Sequence, residues 1–449
     1  MKAIMRDELE LQDSGTEWLG KIPVDWNIHR IKNNYSILSG SGFKPALQGK
    51  SFGDYPVCKA SDISNAGKIL LKAANYIDKD DARSEHFNII PANSIIFAKI
   101  GEALKKNNRT IVAVDCCVDN NCQAVVPMDV SPIYSYYLYS CLDMGWFDNG
   151  GAIPSLNNQK LRDLKIPYPN SNEQQRITNY LDDRCSKIDA IIAEAKASIE
   201  EYKELKQAVI YEAVTKGLDK NVEMKDSGVP WLDDIPANWH LVKITRILDK
   251  NHPYAIGDGD HGSIKTDQYL DCGIPFIRVQ NLGWGTKLNL ENVVYISEED
   301  NRQIQNSTLK PDDILFAKTG ATIGKTAIIP KDVPVANTTS HVGKITISKE
   351  HNPRYVFYVL SSQVGYRQFW DIALQKTTRP ELSIEETKSI KVILPNDREL
   401  EDKIVKFLDE KIPVFDELIN TKQSLIEDLE SYKKSLIYEV VTGKRKVVE

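Results

Sequence analysis

The chain has 449 residues, a formal net charge of -6 and a hydrophobic fraction of 41%, which allows about two to four domains with sizeable cores. It holds no run of about 18 apolar residues, and its start, MKAIMRDELE, has no apolar signal core, so a cytoplasmic protein without a membrane span is expected. The seven cysteines are odd in number, and the cluster Cys116, Cys117 and Cys122 has no second ligand pair at zinc spacing, so buried free thiols are expected and no metal.

In chain order, residues 13–32 read DSGTEWLGKIPVDWNIHRIK, and residues 226–243 repeat the text as DSGVPWLDDIPANWHLVK. Trp18 matches Trp231, Pro23 matches Pro236, and Trp26 matches Trp239. Two tryptophan pairs at one offset indicate duplication, with each box docking its aromatics on its own domain. A β-rich stretch follows over 33–170 and again over 245–395. Within it, SIIFAKIG at 94–101 matches DILFAKTG at 313–320; each is an apolar strand that ends in lysine and hands the chain to a glycine turn. Helices are predicted over 133–143 and 353–370. The stretch closes with IPSLNNQKLRDLKIPYP at 153–169 and RPELSIEETKSIKVILP at 379–395.

Each half then runs into a long helix, over about 173–217 and 399–444. Leu181, Cys185, Ile188, Ile192, Ala195, Ile199 and Tyr202 fall at alternating spacings of four and three, the seam of a coiled coil. Adding 227 to each gives Leu408, Ile412, Phe415, Ile419, Lys422, Ile426 and Leu429, apolar except for Lys422. The seam then shifts phase to Leu205, Val209 and Ala213 in one copy and to Tyr432, Leu436 and Val440 in the other. Pro413 predicts a short helix to about Lys411 followed by a bend. Nine Asp/Glu against seven Lys/Arg over 172–216, and thirteen against ten over 396–449, place five of the six net negative charges in these segments. The acidity therefore leaves room for basic patches elsewhere.

Two motifs invite an enzymatic reading and fail it. Gly320-Ala-Thr-Ile-Gly324-Lys325-Thr326 has three residues between its glycines, where a phosphate-binding P-loop needs four. Asn251-His252-Pro253-Tyr254 carries histidine where the amino-methyltransferase motif has its first proline. No convincing nuclease or nucleophile pattern is present, and the histidines show no metal spacing. What remains are basic turns and polar side chains suited to phosphates and base edges, although any one of them also fits an ordinary loop. The basic turns offer Lys99, Lys105, Lys106, Asn107, Asn108 and Arg109 in the first half and Lys318, Thr319 and Lys325 in the second. The polar candidates are Lys59, Asn121, Gln123, Ser155, Asn157, Asn158 and Gln159, then Arg278, Gln280, Asn281, Thr338, Thr339, Ser340, His341, Lys376, Thr377, Thr378 and Arg379.

The paired W-L-x-x-I-P-x-x-W boxes, the F-A-K-x-G strands and the helix ends IYEAVTKG (210–217) and IYEVVTGK (437–444) resemble the specificity subunit of type I restriction–modification enzymes. That resemblance covers essentially the whole chain. It implies an α+β fold with an internal pseudo-two-fold repeat: two β-rich mixed target-recognition domains separated by two long antiparallel coiled-coil helices. The implied boundaries are 1–170 and 218–395 for the recognition domains, 171–217 and 396–449 for the helices. It implies a non-catalytic chain with no cofactor of its own that reads a bipartite double-stranded DNA site. Its partners would be modification subunits, which bring S-adenosylmethionine and methylate adenine, and restriction subunits, which bring ATP and magnesium. The competing expectation is a coiled-coil scaffold that binds only protein.

Overall fold

The computed structural model describes residues 1–285, 288–374 and 380–448. In the first half the principal elements are β1 (Lys2–Met5), β2 (Tyr35–Ser39), β3 (Ile69–Leu70), β4 (Ile95–Ala98), β5 (Arg109–Val112), β6 (Cys122–Pro127), α1 (Pro132–Ser140) and α2 (Ser171–Lys216). In the second half they are β7 (Ile256–Asp258), β8 (Ile314–Ala317), β9 (Thr326–Ile328), β10 (Val342–Ile345), α3 (Pro353–Ser361), α4 (Gln363–Ala373), α5 (Arg398–Val441) and β11 (Arg445–Val448). The chain divides into two compact units, Met1–Ala195 with Ser424–Glu449, and Lys196–Gln423. Each unit thus takes one β-rich domain and a part of both long helices; the helices are not bodies of their own.

The two units are built alike. The first holds a sheet of order β2-β6-β4-β5-β3 and the second a sheet of order β7-β10-β8-β9. The middle strands β4 and β8 are buried at every residue, which is why they read as continuous apolar runs rather than alternating ones. Beside each main sheet lies a three-stranded one: Tyr55–Cys58 pairs parallel with Cys117–Val118 and antiparallel with Asn75–Ile77, and Ile274–Ile277 repeats this with Asn337–Thr338 and Val294–Ile296. A two-stranded antiparallel pair closes each domain, Asn27–Arg30 with Lys165–Tyr168 and His240–Lys243 with Lys391–Leu394.

Inside each unit the helix segments run antiparallel. In the first, Lys433 on α5 grips both carboxylate oxygens of Asp189 on α2 at 2.6 and 2.7 Å, while Arg6, bonded to Gly443 O at 3.0 Å, reaches Glu173 at the start of α2. In the second, Lys206 on α2 meets Asp416 on α5 at 2.7 Å, and Ile210, Ala213 and Val214 share a core with Leu408 and Ile412. Adding 227 to Asp189 and Lys206 gives Asp416 and Lys433, so one ion pair appears twice. The helix ends are tied down alike: Tyr134 Oη donates to Val441 O, and Tyr355 Oη donates to Val214 O.

Of the seam residues, Leu181, Ile188, Ile192, Ile199, Leu408 and Ile426 are buried, while Tyr202, Phe415, Ile419, Lys422 and Leu429 are half-buried. Three expectations are corrected. First, α5 runs unbroken from Arg398 through Pro413 to Val441. The proline removes one amide donor, and the turn around it is held by buried Leu408 and Ile412 and by the Asp409 carboxylate, which accepts from Tyr358 Oη at 2.6 Å. Second, the phase step brings Lys206 inward and leaves Leu205 and Tyr432 more than half exposed. The pairing of Lys206 with Asp416 makes a lysine acceptable where an apolar residue was expected. Third, the helix expected over 353–370 is two helices, because Ser362 is extended (ψ 176°) and its Oγ accepts from Val364 N, starting α4 anew.

The tryptophan boxes pack on their own units. Trp26 and Trp239 are buried, and Trp18 Nε1 donates to Lys165 O at 3.0 Å. Each buried indole abuts a helix-ending glycine in the left-handed conformation: Trp239 lies against Gly217 (φ 80°) and Trp26 against Gly443 (φ 76°). β1 pairs antiparallel with β11.

Candidate nucleic-acid interface

The strand-end lysines organise the same polar site in each unit. In the first, Lys99 N donates to Asn121 O at 2.8 Å, Leu156 N to Lys99 O at 2.9 Å, and Gly101 N to Pro154 O at 2.8 Å. In the second, Lys318 N donates to His341 O at 2.9 Å, Leu382 N to Lys318 O at 2.9 Å, and Gly320 N to Pro380 O at 3.0 Å. Gly101 and Gly320 both have positive φ, 73° and 63°, so the turn demands glycine where the sequence repeats it. Three backbone bonds thus join the end of a buried strand, a neighbouring loop and the segment after α1 or α4. The frame is rigid and its side chains are free to differ.

They do differ. Around Lys99 gather Asn121, exposed and capped by Asp119, and a chain of amides. Asn157 Nδ2 donates to Asn149 Oδ1 at 2.9 Å, Asn149 Nδ2 to Ser155 Oγ at 3.2 Å, and Gln123 Nε2 to Asn158 Oδ1 at 2.8 Å. Among the described residues, Lys99 Nζ has neither a hydrogen bond nor an ion pair. Around Lys318 the surface is different. Its ammonium is buried against Asp258, whose carboxylate also faces His261 Nε2 at 3.3 Å. Thr319 Oγ1 lies 3.3 Å from His341 Nδ1. The loop 259–264 stands beside them. Asp260 accepts from the backbone N–H groups of Gly262, Ser263 and Ile264, and Ser340 N donates to Asp260 O. Burial pushes the Asp260 carboxyl up, but those donors together hold it below its ordinary value.

The remaining candidates separate into surface groups and internal ones. Lys105 and Lys106 are exposed, and Gln280 is exposed. Lys325 and Thr339 are half-buried. Lys59 donates to Gln48 Oε1 at 2.7 Å and lies over the Phe43 ring, while Asn108 donates to Ser64. Arg278 lies over Tyr269 and donates to Asn292 O. Five candidates are used up inside the domains. The buried Arg109 guanidinium donates to Leu142 O and Asn107 O, and burial pushes it down to about 10. Asn107, itself at φ 57°, caps Met144 N. Gln123 and Thr338 are fully buried, the latter donating to Ile277 O. Asn281 is buried and donates to Asn289 O. Lys376, Thr377, Thr378 and Arg379 lie outside the described residues.

Sequence reasoning missed Asn149, Asp258 and His261. Asp258 had no visible signal, because its partner Lys318 is 60 residues away. Asn149 sits in the D-N-G-G turn ahead of Ser155, and that turn composition was the available clue. The sites gather amides, a hydroxyl, imidazoles and lysine on strand ends, groups chemically able to meet phosphates and base edges. Among the described residues no group of His, Cys, Asp or Glu could hold a metal, and no helix is long and apolar enough to cross a membrane. All seven cysteines are free, and burial pushes the Cys117 thiol up to about 12.

The chain is 25% identical over 454 residues to the type I restriction enzyme MjaIX specificity subunit of Methanocaldococcus jannaschii, covering 96% of each chain. It is 25% identical over 300 residues to the EcoBI specificity subunit of Escherichia coli, covering 65% of this chain and 60% of that one. A solved chain from a study of complex assembly and conformational transition of a type I R-M system shares the fold, with a TM-score of 0.66 over 94% of this chain and 99% of the other at 15% identity. The model of the type I restriction modification DNA specificity domain matches residues 23–201 and 261–428, and with that span, well over half of its length, the chain belongs to the family of type I restriction–modification specificity subunits.

Proposed function

We propose that the chain is the non-catalytic sequence reader of a cytoplasmic type I restriction–modification complex. Each β-rich domain reads one half of a bipartite double-stranded DNA site. The observation that carries this reading is the twin strand-end site: one backbone frame, used twice, holding two different sets of base-capable side chains. Amide pairs such as Asn157 and Asn149 match adenine edges, whereas Lys99 and the imidazoles of His261 and His341 match guanine edges or phosphates. Modification subunits would supply S-adenosylmethionine and methylate adenine, and restriction subunits would supply ATP and magnesium. This chain would hold none of these.

The test is an exchange of residues 245–395 for the equivalent segment of a relative, followed by sequencing of the methylated motifs made by the assembled complex. One half of the motif changes and the other stays. A change in both halves, or methylation that ignores the exchange, defeats the reading. Methylation or ATP hydrolysis by the purified chain alone defeats the non-catalytic part of it.

A further inference from the structure

The twin sites differ in charge, and the register of the sheets says why. In the first unit, Ser39 on β2, Gln123 on β6 and Phe97 on β4 stand side by side in one row across the sheet. In the second unit, the same row is Asp258 on β7, Gly343 on β10 and Phe316 on β8. Side chains directly opposite in an antiparallel sheet point to one face, and so does the residue two positions along. Lys99 and Lys318 therefore lie on the face of their rows, two residues beyond Phe97 and Phe316.

In the second unit the central position of the row is empty of side chain. A Cβ at Gly343 would come within 2.1 Å of the Phe316 ring. The Phe316 ring occupies the space a side chain there would take, and Lys318 pairs with the Asp258 carboxylate, its side chain keeping only 5% of its exposure. In the first unit Gln123 holds the central position of the row, fully buried and bonded to Asn158. The position of Asp258 is held by Ser39, which carries no charge. Lys99 is half-buried, flanked by Asn121 and Ser155, and among the described residues its ammonium is unpaired.

We propose that the two recognition domains engage DNA with unequal charge at equivalent places: Lys99 contacts the DNA as a free cation, whereas Lys318 is withdrawn into an internal pair with Asp258 and contacts no DNA. This rests on the DNA-reading function proposed above. A lysine that neutralises a phosphate releases a counterion and steepens the salt dependence of binding by about 0.9 in log–log slope. A lysine already neutralised by a carboxylate releases none.

The experiment uses the complex assembled with its modification subunits and a duplex carrying its methylated motif, with binding measured from about 50 to 200 mM salt. Lys99→Gln lowers the slope by about 0.9, Lys318→Gln leaves it in place, and Asp258→Ser raises it by about 0.9 because Lys318 is released. Each variant is first checked for wild-type thermal unfolding. Where Lys318→Gln does not fold, the Asp258→Ser slope decides. An unchanged slope in Lys99→Gln, or a loss in Lys318→Gln equal to that in Lys99→Gln, overturns the proposal, as does an unchanged slope in Asp258→Ser. Wild-type complex that binds its own motif without salt dependence overturns the DNA-reading function itself, which separates the two failures.

Discussion

The duplicated ion pair of the long helices offers a quantitative test, because nature has set the same contact at two depths. Lys206 retains 6% of its side-chain exposure and its partner Asp416 44%. Lys433 retains 27% and its partner Asp189 54%. Removing the carboxylate in Asp416→Ala strands an ammonium that water hardly reaches. The loss of a charged hydrogen bond is worth about 1.5–3 kcal/mol, and a fully stranded buried charge costs about 3–5 kcal/mol. Because Asp416 itself is nearly half exposed, the lower range applies, and the expected cost is about 2 kcal/mol. In Asp189→Ala water replaces the lost partner of Lys433, and the expected cost is about 0.5 kcal/mol, that of an exposed pair. For units of this size those costs correspond to falls in Tm of about 4–8 °C and about 1–2 °C. Calorimetry reads the shifts, and amide exchange in peptides around 206 and 189 assigns each to its place. The double variant Lys206→Met with Asp416→Leu should recover most of the loss, since no charge is left stranded. Equal costs at the two sites, or a double variant as unstable as Asp416→Ala, would refute the account of Lys206 as a buried charge held by its partner.

Three further outcomes follow from the geometry. Gly443→Ala should cost about 2–3 kcal/mol and Gly217→Ala about 1 kcal/mol in thermal unfolding: both adopt positive φ, but the new Cβ meets the rigid Pro23 ring at 2.4 Å in the first case and the Trp239 ring at 3.2 Å in the second. Asp260 has its carboxyl held below the ordinary value in the fold, so its contribution is complete above the unfolded value of 3.8 and is lost as pH falls through the lower folded value; Asp260→Asn should remove that acid limb from the exchange protection of residues 260–264 and leave neutral-pH protection of β8 unchanged. Arg109→Met should lower stability by about 2–3 kcal/mol, because Leu142 O and Asn107 O lose their donor, without changing the salt slope of DNA binding; a slope that falls with it would make Arg109 a phosphate contact.

Which parts could be read from the letters follows from how each is specified. The duplication was legible because the tryptophan boxes, the F-A-K-x-G strands and the seam spacing are local texts. Each encodes an element without reference to distant residues. The buried strands β4 and β8 were legible for the same reason, since a strand covered on both faces needs only an apolar run. The helix details failed where a local rule met a tertiary one. Proline at 413 predicts a break, but buried Leu408 and Ile412 on the preceding turns hold the helix together. Leu205 predicts the seam by its apolarity, but the inward place went to Lys206 because Asp416 waits on the other helix. The polar sites show the same division more sharply. Arg109, Asn281 and Thr338 are the letters of a DNA contact and also of a satisfied buried group, and only their partners decide between them. Lys99 and Lys318 are identical in local text, each closing an F-A-K strand, yet one is free and the other paired. The difference is written at 39, 123, 258 and 343, positions brought into one row only by strand pairing. A duplicated chain therefore announces its frame twice in the sequence, while the divergence of its two sites lies in cross-strand neighbours that the sequence does not place side by side.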